Sequence, residues 1–279
     1  MKIEASSTTL GAVVADIDLR FVPGTSLADD LREALGECGV LVFPEQQLDD
    51  EGQLAVAELW GEARPHPVVA FLGGTEKMGV VFNDENHEPP PGGDSAFHTD
   101  YSFNHEIPDI AVLRPVTIPP FGGGTGWADA REALSRLAPA TRERVRGMKA
   151  HHDAGERFAV EMEVRMGKEL AARVVERFGG GWDHPIIARH PRTGDELLFV
   201  NPGFTRSIVG LEACESEALL SELYATFGDP SIQFEHRWSP GDIVIWDEHR
   251  TVHRGPNDFG NHRRELRRCT AGQRAPRVA

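Results

Sequence analysis

Cysteine, positive charge and long apolar runs are all scarce in this chain of 279 residues. Its three cysteines, Cys38, Cys214 and Cys269, lie far apart, cannot all pair and form no CxxC, which excludes a disulfide framework. They predict buried free thiols in a reducing cytoplasm. The opening MKIEASSTTLGAVVADIDLR carries Glu4, Asp16 and Asp18 and has no basic start followed by an apolar run. No signal peptide and no membrane span are therefore expected. Only 29 Lys and Arg stand against 44 Asp and Glu, for a net charge of -15. Such a chain is repelled by phosphate backbones and anionic lipid, so neither nucleic acid nor a membrane is the expected partner. Small anionic ligands respond to local charge and stay open.

What the chain does have is punctuation, with 29 Gly and 19 Pro. Short elements joined by long loops follow, favouring a sheet-rich fold over a helical bundle. Strand-like text recurs at GAVVADIDL, GVLVF, SAFHTDYSF, DIAVLRPVTI, ELLFVN, IQFEHRW, GDIVIWDEH and RELRRCT. Helices are expected at LADDLREALGEC behind Ser26, at QLAVAELWG behind Asp49 and Asp50, at ADAREALSRL, around 156–178 and at CESEALLSELYATF. The stretch 62–96, with Pro89-Pro90-Pro91-Gly92-Gly93, reads as an active-site loop, and 154–181 as a second insertion. No repeat or clean linker divides the chain, so 1–279 is expected to be one domain.

The sharpest local feature is His98-Thr99-Asp100. On a strand, residues two apart share a face, so the imidazole and the carboxylate would project together as two metal ligands. A bare HxD is common by chance, and a third ligand must come from elsewhere. His253 in VIWDEHRTVHRG completes a 2-His-1-carboxylate set, the donor arrangement of non-heme Fe(II) oxygenases. A zinc hydrolase using His249 and His253, four apart, is the competing reading. The Ser239-Pro240-Gly241 turn, the β-rich IVIW and Gly255-Pro256 oppose the helix it needs, leaving His249 on the solvent side or behind the ligands.

In RRELRR, Arg264, Leu266 and Arg268 would share one strand face. Guanidinium forks there could bind two anions; a solvated edge strand paired through Glu265 is the bland alternative. Other features read as structure: His151-His152-Asp153 in a strand, Gly122-Gly123-Gly124 as a turn, Trp238 and Trp246 in the core.

Taken together, HxD at 98–100, GGGTGWAD, HPRTGDELLFVNPGFTRSIVGL, WSPGDIVIWDEHRTVHRG and RRELRR resemble, in order and spacing, the TauD/TfdA family of Fe(II)- and 2-oxoglutarate-dependent dioxygenases. The similarity spans nearly the whole chain. It implies a mostly β fold with flanking helices, a double-stranded β-helix (jelly roll, cupin-like). It also implies iron ligands at His98, Asp100 and His253, with Arg264 and Thr125 holding 2-oxoglutarate. Arg268 falls on the family's substrate arginine, His66 on a histidine that meets the substrate's anionic group, and Phe158 and Phe204 on aromatic walls. Tyr101 is grouped with them.

The implied reaction uses O2 and decarboxylates 2-oxoglutarate to succinate and CO2 while hydroxylating a small organic anion. A sulfonate, sulfate ester, aryloxy acid or amino acid derivative would qualify. Hydroxylation beside an ether, ester or sulfonate would fragment the product. Related halogenases lack the carboxylate that Asp100 supplies. Val69 stands where the taurine enzymes carry tyrosine and Asp94 where they carry asparagine, which turns the reading away from taurine; RRELRR is nearer the aryloxyacetate branch. A homodimer or homotetramer is implied. A non-catalytic binding protein on the same fold would keep the pocket and consume no cosubstrate.

Overall fold

A computed structural model describes residues 1–6, 8–83, 96–155 and 158–279. Among the described residues an eight-stranded sheet runs in the order Lys2–Ala5, Ala12–Ala15, Val40–Phe43, Ile243–Asp247, Ile110–Thr117, Arg264–Ala271 and Ala63–Arg64, with Gly79–Asn83 also pairing on Arg264–Ala271. Ala12–Ala15 lies parallel to Val40–Phe43, and the other pairings are antiparallel. Facing it is a three-stranded sheet of Gln233–His236, Thr125–Asp129 and Thr251–Arg254.

Period-two alternation explains why both faces of the large sheet are covered. Leu41, Phe43, Ile110, Val112, Ile243 and Ile245 pack outward with Leu31, Leu35 and Val56 of helices Leu27–Cys38 and Asp50–Ala57. Their alternates Val40, Val42, Ala111, Leu113, Val244 and Trp246 face inward against Trp127 and Phe234 of the small sheet. Every residue of Ile243–Asp247 is accordingly buried, and each large side chain so covered contributes about 1.5–3 kcal/mol. Two facing sheets with helices outside make the jelly roll that the sequence suggested. No helix among the described residues is long and apolar enough to cross a membrane.

Helix Leu27–Cys38 presents Ala28, Leu31, Ala34 and Leu35 as one stripe. Gly39 ends it at φ +69°, donating to the Leu35 carbonyl, and a Cβ there would lie 2.5 Å from Leu10 Cδ1. The same corner is tied to the small sheet by Arg250, which is 2% exposed. Its guanidinium donates to Asp129 Oδ2 at 2.7 Å and to the Gly36, Glu37 and Thr9 carbonyls. Arg250→Ala leaves the fully buried Asp129 carboxylate without its buried cation and with hydrogen bonds only from the Arg131 and Glu132 amides, so a loss of about 3 kcal/mol is expected in denaturant unfolding.

Three expectations need correction. SAFHTDYSF is not a strand: within its described part, His98 makes a single bridge to His253, and the chain then turns through Tyr101 at φ +58°. The supposed loop at 62–96 holds Ala63–Arg64, helix Pro67–Phe71 and strand Gly79–Asn83; residues 84–95, with Asp94, lie outside the described residues. His249 is buried rather than solvent-facing, because its ring lies 3.3 Å from Asp109 and packs edge-on to His190.

A surface feature gives the fold a pH dependence. Glu196 accepts from Arg142 and Arg146, whose hydrogen bonds hold its carboxyl down at about 2. A depressed pKa stabilises the fold above the unfolded value and loses that contribution as pH falls toward 2. Solvent screening reduces it to about 1 kcal/mol. Glu196→Gln is expected to cost that much at pH 7 and almost nothing near pH 2, in unfolding curves at both pH values.

Candidate metal centre and active site

The small sheet presents His253 from Thr251–Arg254, in register with Trp127. His98 reaches the same place because its N–H and C=O both pair with His253, each at 2.8 Å. Tyr101, in the left-handed region, then reverses the chain and leaves Asp100 pointing back. The result is a compact triad: His98, Asp100 and His253 each offer a ligand atom, all within 4.8 Å of one another. His98 Nε2 and His253 Nε2 lie 4.0 and 3.9 Å from Asp100 Oδ1.

Protonation in the triad suits a cation. The 2.9 Å contact of His98 Nδ1 with the Ala96 carbonyl places an N–H on Nδ1 and leaves Nε2 as the ring atom turned to the centre. Burial, then His98, push the His253 pKa well below its ordinary value, so the ring is neutral. Burial opposes the Asp100 charge, but the adjacent Arg268 guanidinium outweighs it and holds the carboxyl at about 2. Two imidazoles and one carboxylate thus surround a point that can hold a divalent ion. Among the described residues no other such group of three appears.

Two cavities meet at Arg268 and Val81. The first runs from His98 and His253 past Trp246 and Leu113 to Thr125 and Arg264. Arg264 is buried, donating from Nε to the Gly123 carbonyl at 2.8 Å and from Nη2 to the Gly124 carbonyl at 3.2 Å. Gly123 takes φ +68°, and a Cβ would meet Pro119 at 2.7 Å and Arg264 Cδ at 3.2 Å, so only glycine seats the guanidinium there. Thr125 Oγ1 accepts from Trp238 Nε1 at 3.2 Å and lies 3.5 Å from Arg264 Nη2.

The second cavity is walled by His66, Val69, Met78, Val80 and Tyr101. His66 Nδ1 accepts the Val68 N–H at 3.1 Å as the cap of helix Pro67–Phe71. Burial, reinforced by Arg268, drives its pKa to about 4. A neutral ring whose Nδ1 is an acceptor must carry its proton on Nε2. Burial likewise pushes Tyr101 up to about 12. Arg268 contacts Asp100 Oδ2 and sits over the Tyr101 ring at 5.3 Å.

Phe204 stands edge-on to His98 at 5.8 Å, whereas Phe158 reaches the site only through Phe103, 6.3 Å away. The structure therefore brings His66, Tyr101, Phe204 and Arg268 around the triad, with Phe158 one ring further out. The zinc pairing is not formed, because His249 turns to Asp109 while His253 faces His98.

Sequence reasoning missed Glu248, which is fully buried beside Asp100. Burial, and then the neighbouring Asp100 charge, raise its pKa well above the carboxylate range. Nothing in WDEHR distinguishes it from a solvated loop acid.

A jelly roll enclosing such a triad, with a buried arginine across a cavity from it, defines an Fe(II)- and 2-oxoglutarate-dependent dioxygenase. The model of the "Taurine catabolism dioxygenase TauD, TfdA family" matches residues 2–270, and the chain belongs to that family. It is 31% identical over 269 residues to an alkylsulfatase of Acinetobacter baylyi, covering 94% of this chain and 81% of that protein. It is 28% identical over 273 residues to the alpha-ketoglutarate-dependent 2,4-dichlorophenoxyacetate dioxygenase of Cupriavidus pinatubonensis, covering 93% of each. A taurine dioxygenase structure from Burkholderia xenovorans superposes with a TM-score of 0.80 at 29% identity, over 99% of this chain and 90% of that one. The enzyme is an oxidoreductase that uses Fe(II), 2-oxoglutarate and O2.

Proposed function

We propose that His98, Asp100 and His253 hold Fe(II), that Thr125 and Arg264 hold 2-oxoglutarate, and that Arg268, His66, Tyr101, Phe204 and Phe158 define the substrate side. The observation that carries this reading is the pair of cavities meeting at Arg268, one lined by the two triad histidines and Arg264, the other by His66 and Tyr101.

When bound, the metal supplies the activation of O2 that drives hydroxylation. The protein's part is positioning. Arg264 and Arg268 are the only arginine, lysine or acidic side chains among the described residues lining the first cavity. The Arg264 fork fits the distal carboxylate of 2-oxoglutarate, and Thr125 supplies a hydroxyl beside it. The opposite end of the cosubstrate then faces the triad. Arg268 and the Nε2–H of His66 meet a substrate anion, while Val69, Met78 and Val80 supply apolar wall to a cavity that Arg64, Glu76 and Lys77 also line. The net reaction balances as substrate C–H, O2 and 2-oxoglutarate giving C–OH, succinate and CO2.

The substrate is a small organic anion. Succinate formation over a panel of alkyl sulfates, sulfonates, aryloxyacetates and acidic amino acid derivatives, with substrate-free turnover subtracted, tests this. Arg268→Ala should raise KM for the accepted anion about tenfold or more while 2-oxoglutarate binding holds; an unchanged KM would refute the role of Arg268. The match over residues 2–270 supports one catalytic domain for 1–279, and the unpaired Cys38, Cys214 and Cys269 fit a reducing cytoplasm. A homodimer or homotetramer is expected by sedimentation.

A further inference from the structure

The structure assigns a role to Glu248: its carboxyl is a positioning clamp that ties two of the three proposed iron ligands together. The inference rests on the ligand assignment above. Glu248 lies between strands Ile243–Asp247 and Thr251–Arg254 and is 0% exposed. Its two oxygens serve two different donors. Oε2 accepts the backbone N–H of Asp100 at 3.0 Å, and Oε1 accepts the indole N–H of Trp246 at 2.8 Å.

Both bonds lead to ligands. Asp100 sits in a turn, outside any strand ladder, so its amide depends on this side chain for an acceptor. Tyr101, next in the chain, holds a left-handed backbone conformation that must be maintained for Asp100 to face the histidines. Trp246 lies against the His253 ring at 4.9 Å and is braced from behind by Trp127 at 5.6 Å. One carboxyl therefore sets the height of the Asp100 turn and the plane of the indole that backs His253. A buried carboxyl beside a carboxylate is costly unless its hydrogen bonds are met, which is the physical reason for its fixed geometry.

The test uses the full-length, metal-free protein titrated anaerobically with Co(II), whose visible absorption reports donor set and geometry independently of turnover. Glu248→Leu keeps the volume and removes both acceptors. It is expected to weaken Co(II) binding about 10–100-fold, the usual effect of losing an outer partner of a metal ligand, and to change the absorption of the saturated protein. Glu248→Gln retains a carbonyl for Trp246 but opposes the Asp100 N–H with an amide, so it is expected to lose less, up to about tenfold, with a spectrum near the parent's.

Parental affinity and spectrum in the leucine protein would overturn the assignment. If that protein does not fold, the glutamine variant decides by the same criterion: weakened binding supports the clamp, and parental binding overturns it. His253→Ala, run alongside, separates the two layers of argument. Co(II) retained by that variant sinks the ligand assignment, whereas Co(II) lost there but unaffected by either Glu248 change sinks only the clamp.

Discussion

His253→Ala and Asp100→Ala are each expected to reduce succinate formation to background and to abolish high-affinity Fe(II) binding. The effect should exceed the roughly 10–100-fold that losing an outer partner costs, because a donor itself is removed from a three-donor set. The geometry explains why neighbours cannot substitute. The triad is enclosed by Trp246, Phe204 and Arg268, and among the described residues no second histidine cluster supplies a replacement. Glu248 is the nearest carboxyl, but it is held by Trp246 and the Asp100 amide. Anaerobic metal titration together with succinate quantification checks both variants. Full turnover by either one would remove it from the ligand set.

Arg264→Ala is expected to raise KM for 2-oxoglutarate by about 10²-fold or more, with a smaller change in kcat once cosubstrate saturates. Each hydrogen bond to a charged group is worth about 1.5–3 kcal/mol, and a guanidinium fork makes two. The Thr125 hydroxyl would remain, but Leu113, Leu266 and Trp246 offer a carboxylate nothing in exchange, and Arg268 is engaged by Asp100. Arg264→Lys keeps the charge without the fork and should fall between parent and alanine proteins. The weak visible charge-transfer band of the anaerobic Fe(II)–2-oxoglutarate complex provides the direct titration. At low cosubstrate the alanine variant should lack it. An unchanged KM would place the far carboxylate elsewhere.

The charge of -15 is unevenly distributed. Residues 249–279 hold eight arginines against Asp258 and Glu265, a local +6, so the remainder carries -21. The acidity belongs to the body of the protein, and both arginines that line the first cavity come from the single strand Arg264–Ala271. Arg250, in the same basic segment, does a different job, bracing Asp129 and the end of a helix. Counting arginines along the chain does not separate these roles.

Much of the architecture was legible because it depends on periodicity. Helix Leu27–Cys38 coincides with its apolar stripe and its glycine stop, and strand Ile243–Asp247 with its apolar run. The two-residue spacing of Arg264, Leu266 and Arg268 placed both arginines toward the interior, as alternation on a strand requires. Motif order along the chain was enough to name the reaction class, since it is set by residue type and spacing.

Other features came only from contacts between distant segments. His98 and Asp100 do converge, yet through a left-handed turn at Tyr101 rather than along a strand. His249 is four residues from His253 but is drawn away by Asp109, from the bend just before strand Ile110–Thr117, far back in the chain. The proton position on His66 follows from capping the Val68 amide, and the buried carboxyl of Glu248 from the approach of Asp100 across 148 positions. By itself, then, the sequence determined the fold class, the family and the residue types available for iron and cosubstrate, because these rest on local pattern. Which donors face one another, which carboxyl is held without solvent and where two cavities share an arginine were decided by tertiary packing. Burial and hydrogen-bond geometry exist only once the chain has closed on itself.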